Sequence, residues 1–430
     1  VHPTECKVAT AALAIVELRL PPELVVPMSQ HTGAPCRPLV SKGDTVLAGQ
    51  KIGDAEAFIS APIHAPAAGT VTAVEPRPHF TGTRQLAIVI KPSEEQRDTR
   101  LDVPTGREPS PDEIRRIVRE AGIVGLGGAA FPTHVKLSPP KEKAIDTLII
   151  NGCECEPYLT CDHRNMLEAA DRLLDGTRLL LSVVGAKRAI VAIEANKPDA
   201  IEHLRRKIAG GAIEVVSLPT AYPQGAEKQL IKAVLGRTIP SGKLPMDVGA
   251  LVQNVGTAIA VSEAVREGMP LISRTLTVSG RGVAQPANLR VRLGTPLSFV
   301  VEACGGLSEA TAKVIVGGPM TGFAQFDLAA PVVKGTSGIL AFTEEETFRD
   351  EIEHRPCIRC GRCVGACPMG IMPNLIGQYA RLEDWEATAR YDVLDCIECG
   401  CCGYLCPARI PLVHLFKLSK AKVIAARKAT

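Results

Sequence analysis

Four short apolar runs punctuate the middle of the chain, "TLIIN" from residue 147, "AIVAIE" from 189, "IEVVSL" from 213 and "ALVQNV" from 250. Longer stretches lie between and after them, near residues 162 to 182, 198 to 209, 224 to 235 and 256 to 267. Their apolar residues recur at the spacing of one helix face. Apolar strands alternating with amphipathic helices predict a mostly parallel α/β sheet, since each crossover between parallel strands needs a helix-length connection. A further helix is expected at 111 to 121. Upstream, residues 24 to 92 hold β-type segments, "LVVPMS", "GTVTAVEP" and "QLAIVIKP", separated by Gly and Pro, which predict a small β domain. The charged, proline-bearing stretch "KPSEEQRDTRLDVPTGREPSPDE" reads as a linker. Downstream, "TLTVSGRGVAQPANLRVRLGTPLSFVVEACGG" and "AKVIVGGPMTG" form a second β-rich piece.

Two of these segments resemble known domains. "VSKGDTVLAGQKIG" followed by "SAPIHAPAAGTV" resembles the barrel-sandwich domains of biotinyl and lipoyl carriers, whose intervening hairpin presents a modifiable lysine. The corresponding "DAEAFIS" has none, so the shape is expected without a swinging arm. The second β-rich piece resembles the β-grasp-like SLBB domain. The tail "RIPLVHLFKLSKAKVIAARKAT" intersperses apolar with basic residues and predicts an amphipathic helix. It is expected to pack its apolar side on the preceding domain and to leave a solvated basic face.

Composition narrows the class. At 430 residues the chain has room for three or four domains at roughly 100–200 residues each. A net charge of +3 and 3% aromatic residues argue against a nucleic-acid partner. No run approaches the roughly 18 apolar residues of a membrane span. Fifteen cysteines without a recognisable secretory signal suggest a reducing compartment, where thiols serve metal rather than disulfides. The first residue is Val1 rather than Met, so sequence ahead of it is expected.

Eight of those cysteines fall into a duplicated run. "CIRCGRCVGACP" places Cys357, Cys360, Cys363 and Cys367 before Pro368, and "CIECGCCGYLCP" places Cys396, Cys399, Cys402 and Cys406 before Pro407. Both fit C-x2-C-x2-C-x3-C-P, the bacterial ferredoxin spacing for [4Fe–4S] clusters, in which the fourth cysteine of each run ligates the other cluster. One cluster should therefore take Cys357, Cys360, Cys363 and Cys406, and the other Cys396, Cys399, Cys402 and Cys367. Paired zinc sites are the alternative; the x3 step and trailing proline, each present twice, favour iron–sulfur. Cys401 stands outside the register, as a bystander or neighbouring thiol.

At 122 to 137 the chain reads "GIVGLGGAAFPTHVKL". Gly125, Gly127 and Gly128 make a tight turn or, with Lys136 following, a phosphate cradle in which no Cβ blocks approach to backbone N–H groups. The next strand ends in "NGCECEPYLTCDHR", placing Asn151, Glu154 and Glu156 at the C-terminal edge of the sheet, where open α/β folds bind ligands. A solvated loop is the alternative. Carboxylates there would suit ribose hydroxyls rather than phosphate. Cys153, Cys155 and Cys161 lack a fourth ligand at a familiar metal spacing.

"GLGGAAFPT…K", "NGCECEP", "YPQGAE" and "QNVGT" resemble, in order, the FMN and NADH motifs of the flavoprotein subunit of respiratory complex I. With the carrier-like, SLBB-like and ferredoxin-like segments, the whole chain resembles the RnfC family of Rnf electron transport complexes. The resemblance implies FMN held by Gly125, Gly127, Gly128, Lys136, Asn151, Tyr222, Gly225, Asn254 and Thr257. It assigns NADH to Phe131, Glu154, Glu156 and Glu227. Departures stand at Cys153 and Cys155, where that flavoprotein has an acidic residue and a serine, and at Ala226, where it has a first glutamate. The expected domains are a barrel-sandwich β domain over 1–95, an α/β FMN/NADH domain over 96–270, an SLBB-like domain over 271–340 and an α-helical two-cluster domain over 341–430. NADH gives up two electrons as a hydride whereas a [4Fe–4S] cluster normally takes one, so flavin and clusters make a complete set. The family further implies partner subunits at a bacterial inner membrane, including a ferredoxin-like one, reached from the cytoplasmic face. A diaphorase module of a soluble hydrogenase or formate dehydrogenase and a flavin-free iron–sulfur scaffold are the alternatives.

Overall fold

The computed structural model describes residues 1–208, 210–347 and 355–429. Residues 348–354 of the expected two-cluster domain lie outside them, as do the last residue of the 198 to 209 stretch and Thr430.

The four apolar runs are the strands Thr147–Gly152, Arg188–Glu194, Ile213–Leu218 and Ala250–Asn254, all parallel, with Thr147–Gly152 between Arg188–Glu194 and Ala250–Asn254. Leu148, Ile149 and Ile150 are fully buried in succession, as in a strand covered on both faces. The register sets Asn151 opposite Asn254, so two amide side chains end adjacent strands at the same edge. Helix Pro111–Glu120 begins as its sequence directs: Glu113 N donates to Ser110 Oγ, and Ser110 N donates to Glu113 Oε2. The stretch near 162 to 182 is two helices, Cys161–Glu168 and Ala170–Val184, broken at Ala169 (φ −122°, ψ 30°). The break lets Glu168 accept from Ile15 N while Gly176 lies against the backbone of helix Val255–Glu267.

The carrier-like segment folds into two small antiparallel sheets, Leu24–Pro27, Arg84–Pro92, Gly69–Pro78 and Thr45–Val46 in one, Arg37–Pro38, Lys51–Asp54 and Ile63–His64 in the other. They enclose Leu24, Val26, Met28, Val46, Ile52, Ile63, Ile88 and Ile90. A third, six-stranded sheet combines Ser273–Ser279, Ala287–Arg292, Thr311–Val316, Phe323–Gln325 and Gly338–Thr343 with Ile15–Glu17, which pairs in parallel with Ala287–Arg292. The N-terminal arm thus packs on the SLBB-like sheet rather than on the carrier-like domain that follows it. A buried polar network fixes it there: Asn288 Nδ2 donates to Thr10 O (2.9 Å) and Thr277 Oγ1 donates to Asn288 Oδ1 (2.9 Å).

The last domain is helical, around Ile371, Ile376, Val393, Leu412, Phe416 and Val423. The tail forms helix Leu412–Ala429 and buries Leu412, Phe416 and Val423, while Lys420 Nζ donates to Cys396 O (2.6 Å) and Lys417 sits 4.7 Å from the centre of the Phe323 ring. Most of its apolar side is therefore spent on the protein, while Leu418 and Ile424 stay exposed. Among the described residues no helix is long and apolar enough to cross a membrane.

A Cβ at Gly176 would come within 1.8 Å of Ala258 O. Gly176→Ala should force the two helices apart and cost about 1–3 kcal/mol, read as a lower urea midpoint by circular dichroism. An unchanged midpoint would show that the helices part freely.

Candidate functional site

The glycine loop is held from below and opens above. Leu126 N donates to Thr257 Oγ1 (2.9 Å), and Gly125 N donates to Phe131 O (2.8 Å). A Cβ at Gly127 would lie 3.5 Å from Asn254 Cβ, and Gly128 has φ 107° with open space around it. Leu126 and Ala130 are buried while Gly127, Gly128 and Ala129 between them are exposed, so the loop presents a crown of small residues to solvent. The end of the edge strand Ala250–Asn254 stands beside it. Asn254 Oδ1 caps helix Val255–Glu267 by accepting from Gly256 N (2.8 Å), and its Nδ2 donates to Asp162 Oδ2 (2.7 Å).

Lys136 and Glu227 meet at the same edge: Lys136 Nζ donates to Glu227 Oε1 (2.7 Å) and to Val252 O (2.8 Å). Asn151 Nδ2 donates to Gly225 O (2.8 Å). A Cβ on Gly225 would lie 3.3 Å from Cys155 Sγ and 3.5 Å from Asn151 Nδ2, so this position favours a residue without a side chain. Phe131 is half-buried beside the crown. The structure thus gathers Gly125, Gly127, Gly128, Phe131, Lys136, Asn151, Gly225, Glu227, Asn254 and Thr257 around one edge of the sheet.

The remaining candidates turn elsewhere. Glu154 (φ 48°) accepts from the backbone N–H of Asp162 (2.7 Å) and His163 (3.1 Å), serving the positive end of helix Cys161–Glu168. Burial, with the Glu154 charge beside it, pushes Asp162 up to about 7. Glu156 accepts from Met320 N (3.0 Å) and Thr321 Oγ1 (2.5 Å) of the SLBB-like domain, and burial raises its pKa. Tyr222 is buried, with its hydroxyl donating to Cys399 O (2.7 Å). Cys153 lies near Ala192 O, Cys155 accepts from Gly225 N, and Cys161 donates to Ser337 O: three thiols with three separate partners. Burial pushes Cys155 up to about 12, so it is a neutral thiol where the complex I flavoprotein has a serine.

Sequence reasoning missed the groups that shape this loop. Lys7 Nζ, buried, donates to the carbonyls of Glu154 (2.8 Å), Glu156 (2.9 Å) and Leu159 (2.5 Å), and buried Lys197 Nζ donates to Cys153 O (2.6 Å). Nothing in the local pattern distinguishes them from surface lysines.

The two cysteine runs fold alike. Arg359 and Glu398 both have positive φ (56° and 55°), as do Gly361 and Gly400 (73° and 82°), and each run enters a four-residue helix, Arg362–Gly365 or Cys401–Tyr404. Arg359 N points at Cys357 Sγ (3.4 Å) just as Glu398 N points at Cys396 Sγ (3.3 Å). One recess is lined by Cys357, Cys360, Cys363 and Cys406, and another by Cys396, Cys399, Cys402 and Cys367. Three thiols of one run and the fourth of the other share each recess. Four soft sulfur donors in an apolar setting fit a [4Fe–4S] cluster. Cys401, buried, also lines the second recess, 4.0 Å from Tyr222 O.

A crown of backbone at a parallel-sheet edge, joined through Tyr222 to paired four-thiol recesses, defines an electron-transfer protein of the iron–sulfur flavoprotein class. Family models agree with that division: the RnfC barrel sandwich hybrid domain matches residues 1–95, the Nuo51 FMN-binding domain 118–263, the SLBB domain 275–324 and the 4Fe-4S dicluster domain 349–407. The C component of the proton-translocating ferredoxin:NAD+ oxidoreductase complex of Clostridium ljungdahlii is 46% identical, over 92% of this chain and 87% of its own. Its counterpart in the Na+-translocating complex of Acetobacterium woodii is 44% identical, over 100% of this chain and 97% of its own. The chain belongs to this RnfC family of ion-translocating oxidoreductase complexes. An NAD+-reducing [NiFe]-hydrogenase, solved in the H2-reduced state, shares the fold at TM-score 0.50 and 23% identity over 76% of this chain, which spans 58% of that chain's length.

Crossed ligation has a direct test. Cys406→Ser should perturb the electron paramagnetic resonance signal of the cluster beside Cys357, Cys360 and Cys363 and leave the other in place. Loss confined to the cluster beside Cys396 would refute the crossing.

Proposed function

We propose that this chain is the peripheral NADH-handling subunit of an Rnf-type ferredoxin:NAD+ oxidoreductase. It exchanges electrons with NADH at the FMN domain and relays them through two [4Fe–4S] clusters to partner subunits. The observation that carries the reading is the Tyr222 hydroxyl, 2.7 Å from Cys399 O, which joins the nucleotide domain directly to the second recess. Gln229 Nε2 adds a bond to Pro368 O (2.9 Å), so both ends of that recess rest on the same domain. FMN, when bound, takes the electron pair as a hydride and passes electrons on singly, which is the conversion this pairing of domains requires.

The chain's own residues do positional work. The crown at Gly127, Gly128 and Ala129 offers backbone N–H groups to phosphate, with Lys136 as the nearby cation. Lys136 is held between Glu227 and the Val252 carbonyl, so its charge stays at the strand edge. Asn151 and Asn254, side by side in the register, supply amides for a flavin, and Gly225 leaves room beside them. Phe131 and Glu227 face the nucleotide side. The second recess is the entry to the relay; the first, with Cys360 exposed, is the exit toward partners. The ferredoxin:NAD+ names of both relatives support partners that include an iron–sulfur protein. Attachment at the cytoplasmic face of a bacterial inner membrane, through those partners, fits a chain whose tail helix buries Leu412, Phe416 and Val423 in its own cluster domain.

Anaerobic NADH added to the purified, loaded protein should bleach the flavin absorbance and reduce clusters in the same titration; bleaching of neither would end this reading. NADH should be used at least about tenfold better than NADPH, because a carboxylate near the ribose accepts from a 2′-hydroxyl and repels a 2′-phosphate. Glu227→Gln should raise KM for NADH and leave the iron content unchanged. Equal use of both nucleotides by the unaltered protein would remove Glu227 from this role.

A further inference from the structure

The hairpin that carries a lysine in the carrier domains has another use in this chain. It spans residues 55–60, "AEAFIS", between strands Lys51–Asp54 and Ile63–His64. Its base is fixed firmly. Arg119 donates to both Asp54 carboxylate oxygens (3.0 Å each) and to Ala55 O (3.3 Å), Ala34 N donates to Ile59 O (3.0 Å), and Ser60 Oγ donates to Ala34 O (3.0 Å). Gly33 (φ 117°) lies so close to it that a Cβ there would sit 2.1 Å from Ile59 O. A swinging arm needs a free hinge; this hairpin is clamped.

The segment it is clamped to, and the hairpin itself, both reach the glycine loop. Thr32 N donates to Ala130 O (3.1 Å), and Thr32 Oγ1 donates to Ala129 O (3.0 Å). On the far side of Phe131, the His134 ring meets Phe58 O (3.1 Å) and stands edge-on to the Phe58 ring at 5.9 Å between centroids. The carrier-like domain therefore grips the loop on both sides of Phe131. At the tip, Phe58 is 63% exposed and Ile59 42%, in a chain with only nine phenylalanines. A rigid hairpin holding an aromatic ring in water next to a nucleotide loop is arranged for a flat, apolar ligand face.

We infer that Phe58 is a binding residue for the dinucleotide, packing on the adenine on the side of the loop where Phe131 stands. The inference rests on the NADH reading above and extends it to a domain outside the FMN-binding segment. The chemistry favours adenosine as occupant. Phe131, already read as an NADH residue, lies between the two points at which the carrier-like domain grips the loop, so the hairpin stands on the dinucleotide side of the site. A base stacks on an aromatic ring without needing further hydrogen bonds.

The test uses the full, cofactor-loaded chain, with ferricyanide as acceptor and two donors, NADH and reduced nicotinamide mononucleotide, which lacks the adenosine half. Phe58→Ala should raise KM for NADH about tenfold, in keeping with loss of one base–aromatic stack. It should weaken ADP-ribose binding by calorimetry to the same degree and leave the mononucleotide reaction unchanged. Phe58→Tyr should restore both. Because the side chain is mostly exposed, melting should not shift. Equal loss with both donors, or no change in ADP-ribose affinity, would overturn the role. If instead only electron transfer to partner subunits falls, Phe58 is a protein-docking residue and the inference is wrong. Failure of the unaltered chain to oxidise either donor would strike the NADH reading itself; normal turnover with an unaffected Phe58→Ala would strike only this one.

Discussion

The glycine loop and the acidic loop after Gly152 are irregular backbone rooted where domains meet, and buried cations keep their buried carbonyls in place. Each unpaired carbonyl in such a setting costs about 1–3 kcal/mol, and a loop cannot supply its own ladder of partners. Lys7 and Lys197 satisfy four carbonyls between Cys153 and Leu159. Lys334 does the same for Pro62 O (2.6 Å) and Gly122 O (2.7 Å), and Arg274 for Leu126 O (2.8 Å) and Lys334 O. Burial pushes Lys334 down to about 7 and lowers Lys7 and Arg274 as well. The carbonyl dipoles offset part of this desolvation, and the long side chains reach from one domain into another. Lys334, between strands Phe323–Gln325 and Gly338–Thr343 of the SLBB-like sheet, touches both the carrier-like domain and the start of the glycine loop.

This arrangement explains why separate domains behave as one site. The glycine loop receives Thr257 from the α/β domain, Thr32 from the carrier-like domain and Arg274 from the SLBB-like sheet. Glu156 is drawn onto Met320 and Thr321, and the backbone of Met320 in turn lies so close to Gly400 that a Cβ there would meet Met320 O at 2.7 Å. The SLBB-like domain is thereby wedged between the acidic loop and the second cysteine run. Electron transfer needs separations that do not drift, and this packing supplies them without any acid, base or nucleophile in the scheme.

The sequence was legible where a local rule sets the structure. Buried parallel strands read as continuous apolar runs, so Thr147–Gly152 and its neighbours were visible, and Ser110 with Glu113 marks a helix start. The cysteine spacing is local too, because the first three thiols of a run line one recess and the fourth, after the x3 step, lines the other. What stayed hidden depends on contacts between distant residues. Lys7 and Lys197 look like solvent-facing lysines until the carbonyls they serve are folded over them. Glu154 and Glu156 were legible as polar residues at a strand end, but helix Cys161–Glu168 and Thr321 decide which way they point. Ile15–Glu17 is too short to announce a strand and acquires that role only from Ala287–Arg292.

Crossed recesses change how the cluster domain holds together. Had each run closed on its own cluster, the two halves of the duplication would be independent beads joined by helices Pro373–Arg381 and Trp385–Arg390. Instead Cys367 leaves the first run to line the second recess, and Cys406 returns from the second run to the first. Each recess needs both halves, so the fold around one constrains the other, and metal binding becomes folding energy for the whole domain. Lys420, bonded to Cys396 O and to Glu398, ties the tail helix to the same recess that rests on Tyr222 and Gln229. The end of the relay nearest the nucleotide domain is thus the more heavily braced, while the Cys360 end stays open to a partner.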